Sequence, residues 1–392
     1  MKSMHWSFLV GGALWAAAVL VPAPASAQIK VGLIVAMTGP QASTGKQIEA
    51  AVKLYMQQHG DTVAGKKIEV ILKDDAAVPD NTKRIAQELI VNDKVNFIAG
   101  FAVTPTALAV APLISQAKVP AVIMAAGTSI ITERSPYFVR TSFTLPQSST
   151  IIADWALKNN VKKVVTLVSD YAPGIDAQDS FKAVFTQGGG QVVAELRVPL
   201  ANPDFAPFLQ RARDASPDAI FVFVPSGHGG TFMKQYVERG LDKGGIKLIG
   251  PGDVVDDDLL PGMSDAAIGV VTAHMYSAAH NSPTNKAYVE AFKKANNGLR
   301  PNFMSVGGYD GMHVIYEALK KTNGSTDGDA LVNAMKGLAW ESPRGPISID
   351  PETRDIVQNI YIRKVEKVGG ELYSMEFATF EKVKDPGKAA KK

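Results

Sequence analysis

The side chains in this sequence that could act on a small molecule are hydroxyls, rings and a few isolated acids and imidazoles, each placed just after an apolar run. They are Phe101, Thr104, Ala126, Thr128, Tyr171, His228, Asp253 and Tyr276, with glycines between them. The pattern is clearest at residues 97–114. Residues 97–99 are a short apolar run of the kind a buried parallel strand needs, Gly100 ends it, and Thr104-Pro105 opens a helix. Thr104 is expected to cap that helix, and Pro105 suits its first turn because the amide it lacks would have been unpaired there anyway. A helix N-terminus presents free amides and about half a positive charge, so an anion beside Thr104 and Thr106 would be stabilised. One such turn is ordinary. Its repetition after successive strands points to a ligand site.

Reaction chemistry finds no support. Residues 39–46 resemble a phosphate loop, but one residue too many separates the glycines and Gln47 stands where Ser or Thr is required. Gly227-His-Gly229-Gly230 lacks the third glycine of the dinucleotide fingerprint at its offset, and there is no Gly-x-Ser-x-Gly elbow. The chain has no cysteine, which removes disulfides, thiolate nucleophiles and Cys-ligated zinc. Its six histidines show no His-x-x-x-His spacing; His228 and His274 fall at strand ends, where either could donate to a carboxylate or cap a turn. Asp256-Asp-Asp258 reads as the start of a helix rather than a calcium site. Neither a metal nor a cofactor is expected, and the chain is not expected to be an enzyme.

These residues need a frame to hold them. With 392 residues, 46% of them apolar, the chain has bulk for two ordinary domains, and a net charge of +3 spread without a stripe argues against nucleic acid. Residues 1–27 read as an export signal: Lys2 at the positive start, an apolar run over 8–21, and the small-x-small cleavage site Ala25-Ser-Ala27. Strands are expected at 29–37, 68–73, 97–99, 121–124, 164–168, 191–198, 219–224, 247–249 and 269–273, mostly separated by helical stretches. That alternation implies βαβ units and parallel sheets, in two runs that split near 141–147. A helical stretch at 285–336 should pack on one lobe, residues 358–364 and 372–380 around Val368-Gly-Gly370 should form a hairpin, and 384–392 should be a flexible tail. In open parallel sheets ligands bind beyond the carboxyl ends of strands, where the residues named at the outset lie.

The export signal, the opening Ile29-Lys-Val-Gly-Leu-Ile-Val-Ala-Met-Thr-Gly-Pro40, Asp74-Asp75, Thr104, Ala126-Gly-Thr128 and Gly250-Pro251 occur together and in order. In that combination the chain resembles type I periplasmic solute-binding proteins of ABC importers, most closely the leucine/isoleucine/valine-binding group, along nearly the whole mature chain. The resemblance implies an α/β fold of two lobes, each a mainly parallel sheet flanked by helices, joined by a three-strand hinge and closing on a ligand. The lobes would comprise 28–143 with 276–345, and 144–275 with 346–383. It further implies a periplasmic monomer that delivers its ligand to a permease in the inner membrane.

Carried over by position, the family's carboxylate-binding hydroxyl matches Thr104, and the pair on the next loop matches Ala126 and Thr128. The family's aromatic at the start of the second lobe falls on Pro173, so Tyr171 is taken in its place, and a second aromatic falls on Pro225. Amino-acid binders carry an acid directly after Gly-Pro for the ligand ammonium; here that position is Gly252, with Asp253 one residue further on. The expected ligand is therefore a carboxylate without an α-amine, an aromatic or other hydrophobic acid. The alternatives are a branched-chain or other amino acid or amide, or a ligand-sensing receptor of the same fold.

Overall fold

The structure is a computed structural model that describes Met1 and residues 28–389. The export-signal reading of 1–27 thus lies, apart from Met1, outside the described residues, as do residues 390–392 of the expected tail. The first part of the chain is β1 (Ile29–Val35), α1 (Ala42–His59), β2 (Thr62–Val63), β3 (Lys66–Asp74), α2 (Pro79–Val91), β4 (Phe97–Gly100), α3 (Thr104–Ala117), β5 (Ala121–Ile123) and β6 (Phe138–Arg140). These strands form one sheet in the order β2-β3-β1-β4-β5-β6, parallel except for the β2/β3 hairpin. β4, β5 and β6 are buried along their whole length, which is why they read as unbroken apolar runs rather than as alternation.

The chain then crosses over and starts again: α4 (Leu145–Lys158), β7 (Lys163–Ser169), α5 (Ala172–Gln187), β8 (Gln191–Val198), α6 (Ala206–Asp214), β9 (Ala219–Phe223), α7 (Gly229–Glu238), β10 (Lys247–Gly250) and β11 (Val271–His274). It returns to the first lobe as α8 (Pro283–Ala295), α9 (Phe303–Lys321) and α10 (Gly328–Met335); α8 and α9 pack on α1, and α10 packs on α9. It ends with β12 (Ala339–Ser342), β13 (Gly345–Ile349), β14 (Ile356–Val368), β15 (Glu371–Val383) and α11 (Pro386–Ala389). The second sheet runs β12-β13-β14-β11-β10-β9-β7-β8, with β15 on β14. The β14/β15 hairpin turns at Gly369 and Gly370, whose φ of 59° and 89° suit glycine.

Two expectations need correction. β12 was counted with the first lobe in the range 276–345, but it pairs antiparallel with β13 and belongs to the second sheet. The acidic run 256–258 turns into a short 3₁₀ helix at Leu260–Gly262, as expected, and it also serves as polar contact between lobes: Asp256 and Asp257 are buried and Asp258 accepts from Ser43. Residues 384–388 are docked rather than frayed. Asp385 is buried and accepts from Ser129 Oγ at 2.5 Å, Lys384 pairs with Asp350 at 2.9 Å, and Lys388 contacts Asp355 and Thr132.

The crossings are tied by buried side chains. Arg344 donates to the carbonyls of Thr141 and Ser142 and to Gln358, and pairs with Asp310 at 2.9 Å. Gln147, in the first turn of α4, donates to the carbonyls of Ile356 and Val383. Removing one partner of such a buried ion pair costs about 3–5 kcal/mol, so Arg344 and Asp310 tie these crossings together.

Candidate functional site

The C-terminal ends of both sheets face each other across a narrow cleft lined by both lobes, the place where ligands bind in open parallel sheets. Residues 102–104 and 125–127 of the first lobe line one side. Tyr171, Pro173, Phe223, Pro225, Ser226 and Asp253 of the second line the other, with Gln41, Phe143, Leu145 and Met304 between them. The lobes touch: Ser43 Oγ donates to Asp258 Oδ2 at 2.6 Å, Asn302 Nδ2 to Asp256 and Asp258 at 2.9 and 3.1 Å, and the Ser129 amide to Asp176 Oδ2 at 2.9 Å. Gly227 lies against the Pro40 carbonyl, where a Cβ would come within 2.1 Å. This is a closed arrangement.

The first-lobe side is a hydroxyl and amide surface. Thr104 Oγ1 and Thr128 Oγ1 are 2.7 Å apart and both residues are buried. Thr104 does not cap its helix as expected. Val103 is the N-cap of α3, without a side-chain cap bond, and Thr104 is the first helical residue, which frees its hydroxyl for Thr128. The loop bearing Ala126 and Thr128 is braced from beneath by Arg140, which donates to the carbonyls of Ala126, Thr128 and Phe143 at 2.7, 2.7 and 3.0 Å and pairs with Asp355 at 2.6 Å. Carbonyls turned down onto Arg140 are carbonyls turned away from an incoming anion.

The second-lobe side combines rings with unmet polar atoms. Tyr171 stacks on Phe223 with centroids 6.2 Å apart and planes 17° apart. Asp253 Oδ2 and His274 Nε2 are buried without hydrogen-bond partners, and Ser226 lies against the buried Asp256 carboxyl. Burial pushes Asp253 up to about 7, opposed by the Arg363 guanidinium, and burial, reinforced by Arg363 and Arg344, holds His274 well below its ordinary value. Where the resemblance leads one to expect an acid the chain has Gly252, and a Cβ there would fall 1.9 Å from Arg363 Nη2 and 2.4 Å from His274 Cδ2. A cation and an imidazole occupy the space into which that acid would project.

Of the residues named from the sequence, Thr104, Ala126, Tyr171 and Asp253 line the cavity, and Thr128 reaches it through Thr104. Phe101 does not line it. With φ of 67° its ring turns into the core against Phe138, centroids 6.4 Å apart, while its backbone carries the strand-end turn. Tyr276 is buried outside the cavity wall, with its carbonyl accepting from Arg363. His228 is buried at the start of α7 with Nδ1 unpartnered; Pro225 and Ser226 of the same loop face the cavity instead. Gln41, Phe143, Phe223, Met304 and the supporting Arg140 were missed. Gln41 follows the Gly39-Pro40 turn and Phe223 ends a strand, so both carried a readable signal; Met304 and Phe143 did not.

Among the described residues, no helix is long and apolar enough to cross a membrane and no group of three or more His, Asp or Glu could hold a metal ion. Residues 28–370 match the family model of periplasmic binding proteins. The chain is 48% identical over 363 residues to Leu/Ile/Val-binding protein homolog 6 of Brucella melitensis, covering 92% of this chain and 93% of that one. A solute-binding protein of an ABC transporter from Rhodopseudomonas palustris BisB5, solved with 3,4-dihydroxybenzoic acid, is 75% identical with a TM-score of 0.91, over 92% of this chain and 99% of the other. A second R. palustris solute-binding protein, solved with 4-hydroxybenzoate, is 42% identical with a TM-score of 0.90, over 93% and 100%. Fold, cleft and sequence agree: this chain belongs to the periplasmic binding protein family, a family of binding proteins rather than enzymes, and has its two-lobed type I fold.

Proposed function

We propose that this protein is the extracytoplasmic substrate-binding component of an ABC importer, capturing an aromatic carboxylic acid between its lobes and presenting the closed form to a permease. The observation that carries the ligand class is Gly252, whose missing side chain leaves room for Arg363 where an amino-acid binder would hold an acid. An ammonium has no dedicated partner there, while the Thr104–Thr128 hydroxyls and the uncapped start of α3 suit a carboxylate. Phe143, Phe223, Tyr171 and Met304 provide flat apolar walls for a ring. The relatives solved with dihydroxy- and hydroxybenzoate support the same class.

The mechanism is capture and closure. The carboxylate docks on Thr104, Thr128 and neighbouring amides, and the second lobe swings in on the crossings near residues 141–147, 276 and 345. The Ser43–Asp258, Asn302–Asp256 and Ser129–Asp176 contacts form as it closes. On this reading the lobes divide as 28–143 with 276–345 and 144–275 with 346–383, β12 going with the second, and residues 1–27 direct export to the periplasm. The protein works as a monomer and has no nucleic-acid partner.

One observation favours a second reading. Asp253 lines the cavity, one position further on than the acid of the amino-acid binders, and a carboxylate there would suit the ammonium of an amino acid. Calorimetry with benzoate, 4-hydroxybenzoate, leucine and valine separates the two. Micromolar or tighter binding of an aromatic acid with none of leucine supports the proposal, and tight leucine binding alone would overturn it.

A further inference from the structure

We propose that the first lobe carries a second binding site away from the cleft, an aromatic cage for a quaternary ammonium group. It stands on a different cavity and does not depend on the aromatic-acid reading.

Helix spacing builds the site. Tyr55 and His59 lie four residues apart on α1, and Tyr309 and His313 four apart on α9, so each pair projects from one face of its helix, and α1 packs on α9. Tyr288 comes from α8 and Trp340 from β12. These six rings border an open cavity of about 350 Å³, within the roughly 300–1,000 Å³ usual for small-molecule sites. α1 begins beside the cleft at Gln41, and Tyr55 lies about 20 Å further along it at about 1.5 Å per residue. No residue lines both cavities.

The rings are crossed rather than parallel. Tyr309 meets Tyr55 at 73° and Tyr288 at 65°, with centroids 4.9 and 5.0 Å apart, while His313 stacks on Trp340 at 4.9 Å. Rings set this way cannot all present edges to the space they enclose, and a ring face attracts a cation. All are uncharged at neutral pH: burial holds His59 and His313 below the ordinary imidazole value and pushes Tyr55 and Tyr309 up. No lysine or arginine lines the cavity, whereas Asp310 and Glu341 do. Arg344 balances Asp310 at 2.9 Å, so the exposed Glu341 supplies the net negative charge. Lys320, whose charge is felt at His59, is paired with Glu317 at 2.8 Å.

The inner wall also selects the kind of cation. Both Asp310 oxygens are engaged, by Trp340 Nε1 at 2.9 Å and Ser342 Oγ at 2.8 Å. The Tyr309 hydroxyl donates to Gln58 at 2.6 Å, and the Tyr55 hydroxyl lies 3.3 Å from His313 Nδ1. A primary ammonium would give up hydrogen bonds to water that these walls do not replace; a quaternary ammonium has none to lose. Its methyl groups suit the ring surfaces and its charge suits their faces.

The test is calorimetry with choline and its neutral isostere 3,3-dimethyl-1-butanol on wild type, Tyr309→Leu, Tyr309→Phe, Glu341→Gln and, in the cleft, Tyr171→Leu, each variant checked by its melting curve. Wild type is expected to bind choline with Kd below about 1 mM and the isostere about 10- to 100-fold more weakly. Tyr309→Leu should weaken choline by about 10-fold, and Tyr309→Phe, which keeps the ring, by less than about threefold. Glu341→Gln should weaken it by about two- to fivefold, and this exposed position carries the test alone if Tyr309→Leu fails to fold. Tyr171→Leu should leave choline binding unchanged. A wild-type Kd above about 1 mM, a choline-to-isostere ratio near one, or choline binding lost in Tyr171→Leu but kept in Tyr309→Leu and Glu341→Gln would overturn the proposal.

Discussion

Gly227→Ala isolates closure from ligand contact. Gly227 sits in the short turn Ser226–His228 with a backbone conformation open to alanine, so the substitution carries no local strain. Its added Cβ, however, would stand 2.1 Å from the Pro40 carbonyl oxygen of the other lobe and 3.5 Å from Gln41 Nε2. Ordinary contact begins near 3.4 Å, so the lobes must stay roughly 1.3 Å further apart at this point. The Ser43–Asp258 hydrogen bond, 2.6 Å when closed, would then stretch past bonding distance. Losing one hydrogen bond to a carboxylate costs about 1.5–3 kcal/mol, which corresponds to roughly 10- to 150-fold weaker binding. The ligand-free protein should melt as wild type does, because no contact within a lobe changes. Calorimetry with 4-hydroxybenzoate and small-angle scattering with and without it measure both sides of the argument. Wild-type affinity together with wild-type compaction in Gly227→Ala would refute the reasoning.

Other perturbations follow from the same geometry. Thr104→Ala removes the hydroxyl that meets the ligand carboxylate and should weaken binding by about 10- to 100-fold with little change in melting temperature; unchanged affinity would take Thr104 out of the site. Arg140→Met leaves Asp355 and three carbonyls short of a buried donor, and should cost about 3–5 kcal/mol in denaturant unfolding as well as loosening the 126–128 loop. Asp176 has its pKa raised by burial to about 6 from 3.8, so its favourable contribution is complete below about pH 4 and is lost as pH rises through 6. Asp176→Asn keeps an acceptor for the Ser129 amide. It should therefore raise stability by about 1–3 kcal/mol at pH 8, with the gain vanishing near pH 4 in thermal melts; a pH-independent difference would contradict this.

The frame was largely legible because buried parallel strands are short apolar runs and their ends are marked by Gly, Thr and Ser, as at Gly100 and Thr104. Hydroxyls at those ends, Thr104 and Thr128, were readable for the same reason. Rings were not. Phe101 looked like a cavity wall until its positive φ turned it inward, and Tyr276 sits at a strand end but points away from the cleft. Sequence places a residue on a loop without fixing χ1 or the sign of φ. The contributions of Gln41, Phe143 and Met304 depend on the lobes meeting, and the packing of Arg363 against Gly252 joins residues more than a hundred positions apart. The sequence registered that an acid was missing at 252 but not what had taken its space.

The central claim is a carboxylate held by the first lobe and a ring enclosed by the second. A crystal structure of the protein with 4-hydroxybenzoate tests it most directly. The expected result has a carboxylate oxygen about 3 Å from Thr104 Oγ1 and the ring between Tyr171 and Phe143. A ligand bound with its carboxylate toward Asp253, or lodged outside the cleft, would contradict the account.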